Sequence, residues 1–164
     1  MKKLPVDVGE LALYMEDSNP EHGQYLDTET GEIIVVENWL ADTWEEGDGT
    51  LEGFDGYKRL EDWQKRAVEV LLAFEEHPSD RYRKVPSLSS GEQYVLMEWF
   101  AGTVSDPSLR KRLELALSGR GAFKRFKEVL SRYPGEQKRW YGYKQQRVEK
   151  QARAWLASIE IEPE

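Results

Sequence analysis

The residues best suited to chemistry lie in Ser118-Gly119-Arg120-Gly121-Ala122-Phe123-Lys124-Arg125-Phe126-Lys127. Two glycines bracket an arginine just where a new helix starts. Free backbone N–H groups, the positive helix end and a guanidinium are therefore expected to converge on one anion, a phosphate or a carboxylate. Gly119, Arg120, Gly121, Lys124 and Arg125 make up this candidate anion seat. The spacing also has a purely geometric explanation. Gly119 permits a left-handed exit from one helix, Gly121 permits close approach of the next, and Arg120 pairs with an acid. The pattern is neither a P-loop nor a dinucleotide-binding fingerprint.

A second constellation is Trp140, Tyr143 and Arg147. Winding at 100° per residue gathers Tyr141, Val148, Ala152, Trp155 and Ile159 into one apolar stripe of the last helix. Lys138, Arg139, Lys144, Arg147, Lys150 and Arg153 cover the remaining circumference. Trp140 and Tyr143 fall outside the stripe and flank Arg147. Aromatics among cations on an outward face suit stacking on single-stranded bases, or a contact buried against another protein. Alternatively, a neighbouring segment of the same chain, such as the acidic loop, covers them.

Other chemistries find less support. Asp42 to Gly53 is acidic and contains Gly, like a calcium loop. Its third, fifth and twelfth positions are Trp44, Glu46 and Gly53, however, and only Gly47 matches. The chain has no Cys and 2 His, which excludes disulfides, thiolate nucleophiles, Cys-type zinc sites and a three-His metal site. His22 is read in a turn, and His77 precedes Pro78 at a helix end where a cation is favoured by the dipole. Neither has a recognisable partner. Glu45 and Glu46 could do acid–base work only in a cleft. No catalytic residue, metal or cofactor is expected, and an enzyme is disfavoured because no nucleophile and base can be named.

The net charge of -8 over 164 residues conceals a strong segregation. Residues 1–109 carry 9 basic and 24 acidic side chains, a net of -15, whereas residues 110–164 carry 14 and 7, a net of +7. One domain is expected for 1–164, with an acidic part over 1–85 that includes an acidic loop at 37–57, and a helical part over 86–164, basic from 110. No apolar run approaches the roughly 20 residues of a membrane span. Acids follow Lys2 and Lys3 where a signal peptide would be apolar, so a cytoplasmic protein with no membrane partner is expected.

The elements that must position these groups follow from spacing. Val8, Leu11, Ala12 and Met15 predict a helix capped by Asp7 and ended by Asn19-Pro20. Gln24–Asp27 and Glu32–Val36 read as a hairpin closed by Gly31, with the second strand apolar on both faces. Glu37–Gly56 has no steady period and reads as a loop pinned by Trp39, Leu40, Trp44, Leu51 and Phe54. Leu60, Trp63, Ala67, Val70, Leu71 and Phe74 predict a helix up to His77-Pro78, and Arg81–Val85 a third strand. Beyond Pro86 the chain reads as all helical. Ser89 with Glu92, or Ser90 with Gln93, caps a helix bearing Tyr94, Met97, Trp99, Phe100 and Ala101. Asp106-Pro107 opens the next, Gly121 precedes a third that Pro134-Gly135 ends, and the last runs from about Glu136 to Ser158, roughly 35 Å long. The fold class is α+β: a small antiparallel sheet of hairpin and third strand, packed helices, and an all-helical carboxyl half.

Several phrases also resemble one family across most of the chain. They are Tyr25-Leu26-Asp27 through Glu29-Thr30-Gly31-Glu32, Pro86 through Leu88-Ser89-Ser90, Met97 and Phe100-Ala101, and Asp106, Leu109-Arg110 and Leu113. The most specific is Ala116-Leu117 with Gly119-Arg120-Gly121-Ala122-Phe123 and Arg125-Phe126-Lys127, followed by Trp140 and Trp155-Leu156. The sequence is similar to the bacterial uncharacterised protein family 0158 of the UPF series. It departs from it in the acidic stretch from Asn38 to about Tyr57, which looks longer than the family's usual link. The resemblance implies a small soluble bacterial protein of a family with no assigned activity, and it carries over no catalytic residue. The function expected is a non-enzymatic protein-interaction module that self-associates or binds another protein. The alternative is a phosphate or nucleic-acid binder acting through the basic helices, against which the overall acidity weighs.

Overall fold

Asp7 starts the first helix as its position predicts. Its Oδ1 accepts the Glu10 N–H at 3.0 Å, and α1 (Val8–Glu16) buries Val8, Leu11, Ala12 and Met15. The computed structural model describes residues 1–17, 22–78 and 80–164. The helix stop expected at Asn19-Pro20 lies outside the described residues.

The hairpin forms from β2 (His22–Asp27) and β3 (Ile33–Glu37), so His22 opens a strand where a turn was expected. Gly31 supplies the positive φ of +83° that closes the turn, and its N–H donates to Asp27 O at 2.8 Å. β4 (Tyr82–Lys84) pairs antiparallel on the other side of β2, giving the order β3-β2-β4 with Tyr25 opposite both Ile34 and Lys84. The two apolar faces of β3 serve two different cores. Ile33 packs against one cluster, while Ile34 and Val36 are buried in the other.

The acidic segment is not all loop. α2 (Asn38–Glu46) follows β3 directly and buries Leu40 and Trp44, four residues apart and hence on one face. Flanking acids mask that spacing in the sequence. Turns and a short 3-10 helix over Tyr57–Arg59 lead into α3 (Asp62–Glu76), with Phe54 buried. α3 buries Ala67, Val68 and Val70, whereas Trp63, expected inward, is exposed.

The second half contains α4 (Ser90–Thr103), α5 (Pro107–Ala116), α6 (Ala122–Ser131) and α7 (Pro134–Ser158). Ser89 and Glu92 form the capping box: Ser89 Oγ accepts the Glu92 N–H at 3.1 Å and Glu92 Oε1 accepts the Ser89 N–H at 3.3 Å. Pro134, read as the end of a helix, is instead the first residue of α7, where its missing N–H costs nothing. This half is not all helical either. β5 (Ile161–Pro163) pairs in parallel with β1 (Lys2–Leu4), joining the two ends of the described chain. Three-residue strands are too short to show a period, and only their mutual contact creates them.

The fold is thus α+β, with two hydrophobic clusters. The larger joins α1, β1 and β5 to α4–α7 around Phe100, Phe126 and Trp140. The smaller holds α2 and α3 against the hairpin around Leu40, Trp44 and Val68.

Candidate functional site

At the α5–α6 turn, Gly119 and Gly121 adopt the left-handed conformation, with φ of +80° and +76°. Arg125, one turn into α6, folds back over this turn. Its Nε donates to Ala116 O at 3.1 Å, and its two terminal nitrogens donate to the carbonyls of Ser118 and Arg120. These carbonyls belong to the end of α5 and the turn beyond it, where helical partners run out. The guanidinium therefore faces three carbonyl oxygens, and an incoming anion would compete with them. Of the residues expected to form the anion seat, Arg125 thus serves as a cap on the end of α5. The side chains of Arg120 and Lys124 are exposed and make no hydrogen bond or ion pair among the described residues.

The face expected from Trp140, Tyr143 and Arg147 is also rearranged. Trp140 is 4% exposed, with its ring edge-on to Phe100 and Phe126 at centroid distances of 5.2 Å each. It cannot stack on an external base. Tyr141, placed in the apolar stripe by its angle, is exposed, and the fully buried positions of α7 are Val148, Ala152 and Leu156. What stands beside Tyr143 and Arg147 is Trp99 of α4, 54% exposed. The Arg147 guanidinium lies over both rings, 5.0 Å from the Tyr143 centroid and 5.5 Å from that of Trp99. It makes no hydrogen bond or ion pair among the described residues. Two helical turns away, Arg139 stacks 4.3 Å from the Phe100 ring. Unlike Arg147 it is partnered, donating to Glu136 at 2.9 Å and to Thr103 Oγ1 at 2.8 Å. Helical angle alone could not identify Trp99, because its neighbour in space comes from a different helix.

Sequence reasoning missed a buried carboxylate. Asp27, at the end of β2, is fully buried and accepts Arg81 Nε at 2.9 Å and Nη2 at 2.7 Å, a two-pronged pair. The Glu29 N–H donates to it at 2.9 Å, and Arg66 of α3 approaches to 3.4 Å while also pairing with Glu32 at 2.8 Å. Burial pushes the Asp27 carboxyl up, but the Arg81 hydrogen bonds and charge together with the Glu29 N–H outweigh it and hold the carboxyl below the usual range. Asp27 lies in the Tyr25–Glu32 phrase that the sequence reading singled out for its resemblance and not for a buried charge. Its residues tie the hairpin to α3 and to Arg81, just before β4.

Two clefts lie among the carboxyl-terminal helices. One, of about 230 Å³, is lined by buried Met97, Phe126 and Trp140 and by Glu16, Lys127 and Lys144. Across it Lys144 Nζ reaches Glu16 at 3.3 Å and stands 5.6 Å over the Trp140 ring. The other, of about 370 Å³, runs between α5 and α6 over Leu115, Ala116 and Val129, with Arg112, Arg125 and Arg132 along it. Among the described residues no group of three His, Asp or Glu side chains is placed to hold a metal ion, and no helix is long and apolar enough to cross a membrane.

Comparison with known proteins follows the same elements. A family model described as "Uncharacterised protein family (UPF0158)" matches residues 38–164. The match takes in the acidic stretch from Asn38 to Tyr57 as well as α3 to α7. The UPF0158 protein PA5073 of Pseudomonas aeruginosa is 26% identical over 163 residues, covering 99% of this chain and 88% of that protein. No solved structure matches the chain. From α2 through the α5–α6 turn to the last strand, the chain belongs to the uncharacterised protein family UPF0158.

Proposed function

We propose that the protein is a non-enzymatic interaction module whose basic helices meet an acidic partner protein. The observation that carries this reading is Arg147, stacked on Trp99 and Tyr143 with no acceptor among the described residues. Stacking fixes the guanidinium and desolvates its faces while its N–H edges stay free to receive a carboxylate. The surrounding field supports it. Of the 14 cations after residue 109, Arg110, Arg139 and Lys144 pair with carboxylates among the described residues. Among the ion pairs of the described residues, Lys144–Glu16 is the one that joins these basic helices to the acidic part of the chain, which leaves opposite charge for an intermolecular contact.

The test is fluorescence anisotropy of a labelled glutamate-rich peptide at low and high salt. Binding at low salt, weakened at least about fivefold by Arg147→Lys, supports the reading, because lysine keeps the charge and loses the planar fork. Lys138→Gln, remote from the stack, is expected to change affinity less than twofold. No binding at low salt refutes it. A second reading, a nucleic-acid ligand on the same helices, is favoured by the exposure of Trp99 as a stacking platform. A single-stranded oligonucleotide of equal charge that outcompetes the peptide would establish that reading instead.

A further inference from the structure

We propose that the protein also binds a second copy of itself head to tail, with Trp39 of one molecule entering the arginine-lined groove between α5 and α6 of the next. This goes beyond the reading above, because it names another surface and its occupant. On α2, Leu40 and Trp44 are buried against the smaller core, which turns Trp39 outward at 44% exposure together with Asp42, Glu45 and Glu46. The three acids make no ion pair among the described residues. An indole held out on an acidic helix is the type of side chain that anchors interfaces, provided that a pocket receives it.

The α5–α6 groove has the complementary character. Leu115, 63% exposed, lies with Ala116 and Val129 along this shallow, open groove of about 370 Å³ and offers an apolar surface to the face of one indole ring. Arg112 and Arg132 flank this apolar surface. Arg112 donates to the Tyr133 hydroxyl at 3.1 Å, and neither arginine pairs with a carboxylate among the described residues. Glu128 is the one acid in the lining. Knob and groove therefore match in both respects, an apolar centre inside rims of opposite charge. They are unlike surfaces, attached to different core clusters, so the contact is heterologous and repeats from copy to copy.

Sedimentation equilibrium tests this. At low salt the average mass is expected to rise above 19.1 kDa with concentration, and to fall back at high salt. Trp39→Ala and Leu115→Glu, both at exposed positions, are each expected to weaken association at least about thirtyfold. Trp39→Ala keeps an intact groove and Leu115→Glu an intact knob, so mixing the two yields a 1:1 heterodimer and nothing larger. Asp42→Lys and Arg132→Glu probe the same contact through charge alone and are expected to weaken it at least about fivefold. The proposal is overturned by a 19.1 kDa species at every concentration at low salt, by variants that associate like the parent, or by a mixture that stays monomeric. A monomeric outcome leaves the glutamate-peptide assay on the α4–α7 face standing, so the two readings fail separately.

Discussion

Replacing Asp27 with Asn removes one charge from the core while retaining the shape of the side chain. The amide oxygen can still accept the Glu29 N–H, now 2.9 Å away, so the loss is confined to the arginines. Arg81 contributes two short charge-assisted bonds, at 2.9 and 2.7 Å, and the amide presents a donor to one of them. The retained oxygen still accepts Arg81 Nε, so at about 1.5–3 kcal/mol for the Nη2 bond and about 1–3 kcal/mol for the charged donor left facing the amide the gross loss is about 3–6 kcal/mol. The Arg81 side chain is 41% exposed, and water there recovers part of it. A net destabilisation of about 3 kcal/mol follows, at the lower end of the range for breaking a buried pair. For a chain of this size that corresponds to a fall in Tm of about 6–12 °C. Urea unfolding followed by Trp fluorescence measures the change, and an Arg81→Met cycle isolates the pair, with an expected coupling of at least about 1.5 kcal/mol. Asp27→Asn within about 0.5 kcal/mol of the parent would refute the view that this carboxylate holds the hairpin to its neighbours.

The other predictions concern pH, the turn and the core. Because the folded Asp27 carboxyl titrates below its unfolded value of about 3.9, its contribution is fully present above that value and is lost as pH falls through the folded one. Urea midpoints taken from neutral to acid pH should therefore show the gap between parent and Asp27→Asn narrowing only below about pH 4. Gly121→Ala forces a left-handed alanine whose Cβ would lie 3.3 Å from Arg125 Nη1, a loss of about 1–2 kcal/mol that thermal melts would detect. Arg125→Met exposes the carbonyls at the end of α5 and is expected to lower stability by about 1–2 kcal/mol, with binding of inorganic phosphate unchanged. Loss of phosphate binding in that variant would reinstate an anion seat at the turn. Trp140→Ala opens a cavity between Phe100 and Phe126 and is expected to destabilise by about 3–5 kcal/mol in the same melts.

Local signals made much of the fold legible. Asp7, Ser89 with Glu92, and Asp106-Pro107 are caps whose chemistry lies within three residues of sequence, and each starts a helix as expected. Gly31 gave the hairpin, and the β4 strand was bounded by Pro86. The elements that were missed depend on distant partners. α2 shows two buried residues among acids, and β1 and β5 exist only as a pair.

The candidate sites divide in the same way. Charge segregation, the left-handed glycine at 119 and the cations of α7 are properties of the chain and were readable without coordinates, whereas Gly121, read as allowing close helix approach, is left-handed as well. Which of those groups are occupied was decided by packing. Trp140 and Arg147 lie two turns apart on one helix, yet neighbouring helices bury the first ring and leave the second group's N–H edges open. Arg125 and Arg120 share a turn, yet one guanidinium reaches back to three carbonyls and the other points to solvent. A sequence fixes a side chain's angle about its own helix axis. Only the approach of the other helices determines whether that direction meets a ring, a carbonyl or water.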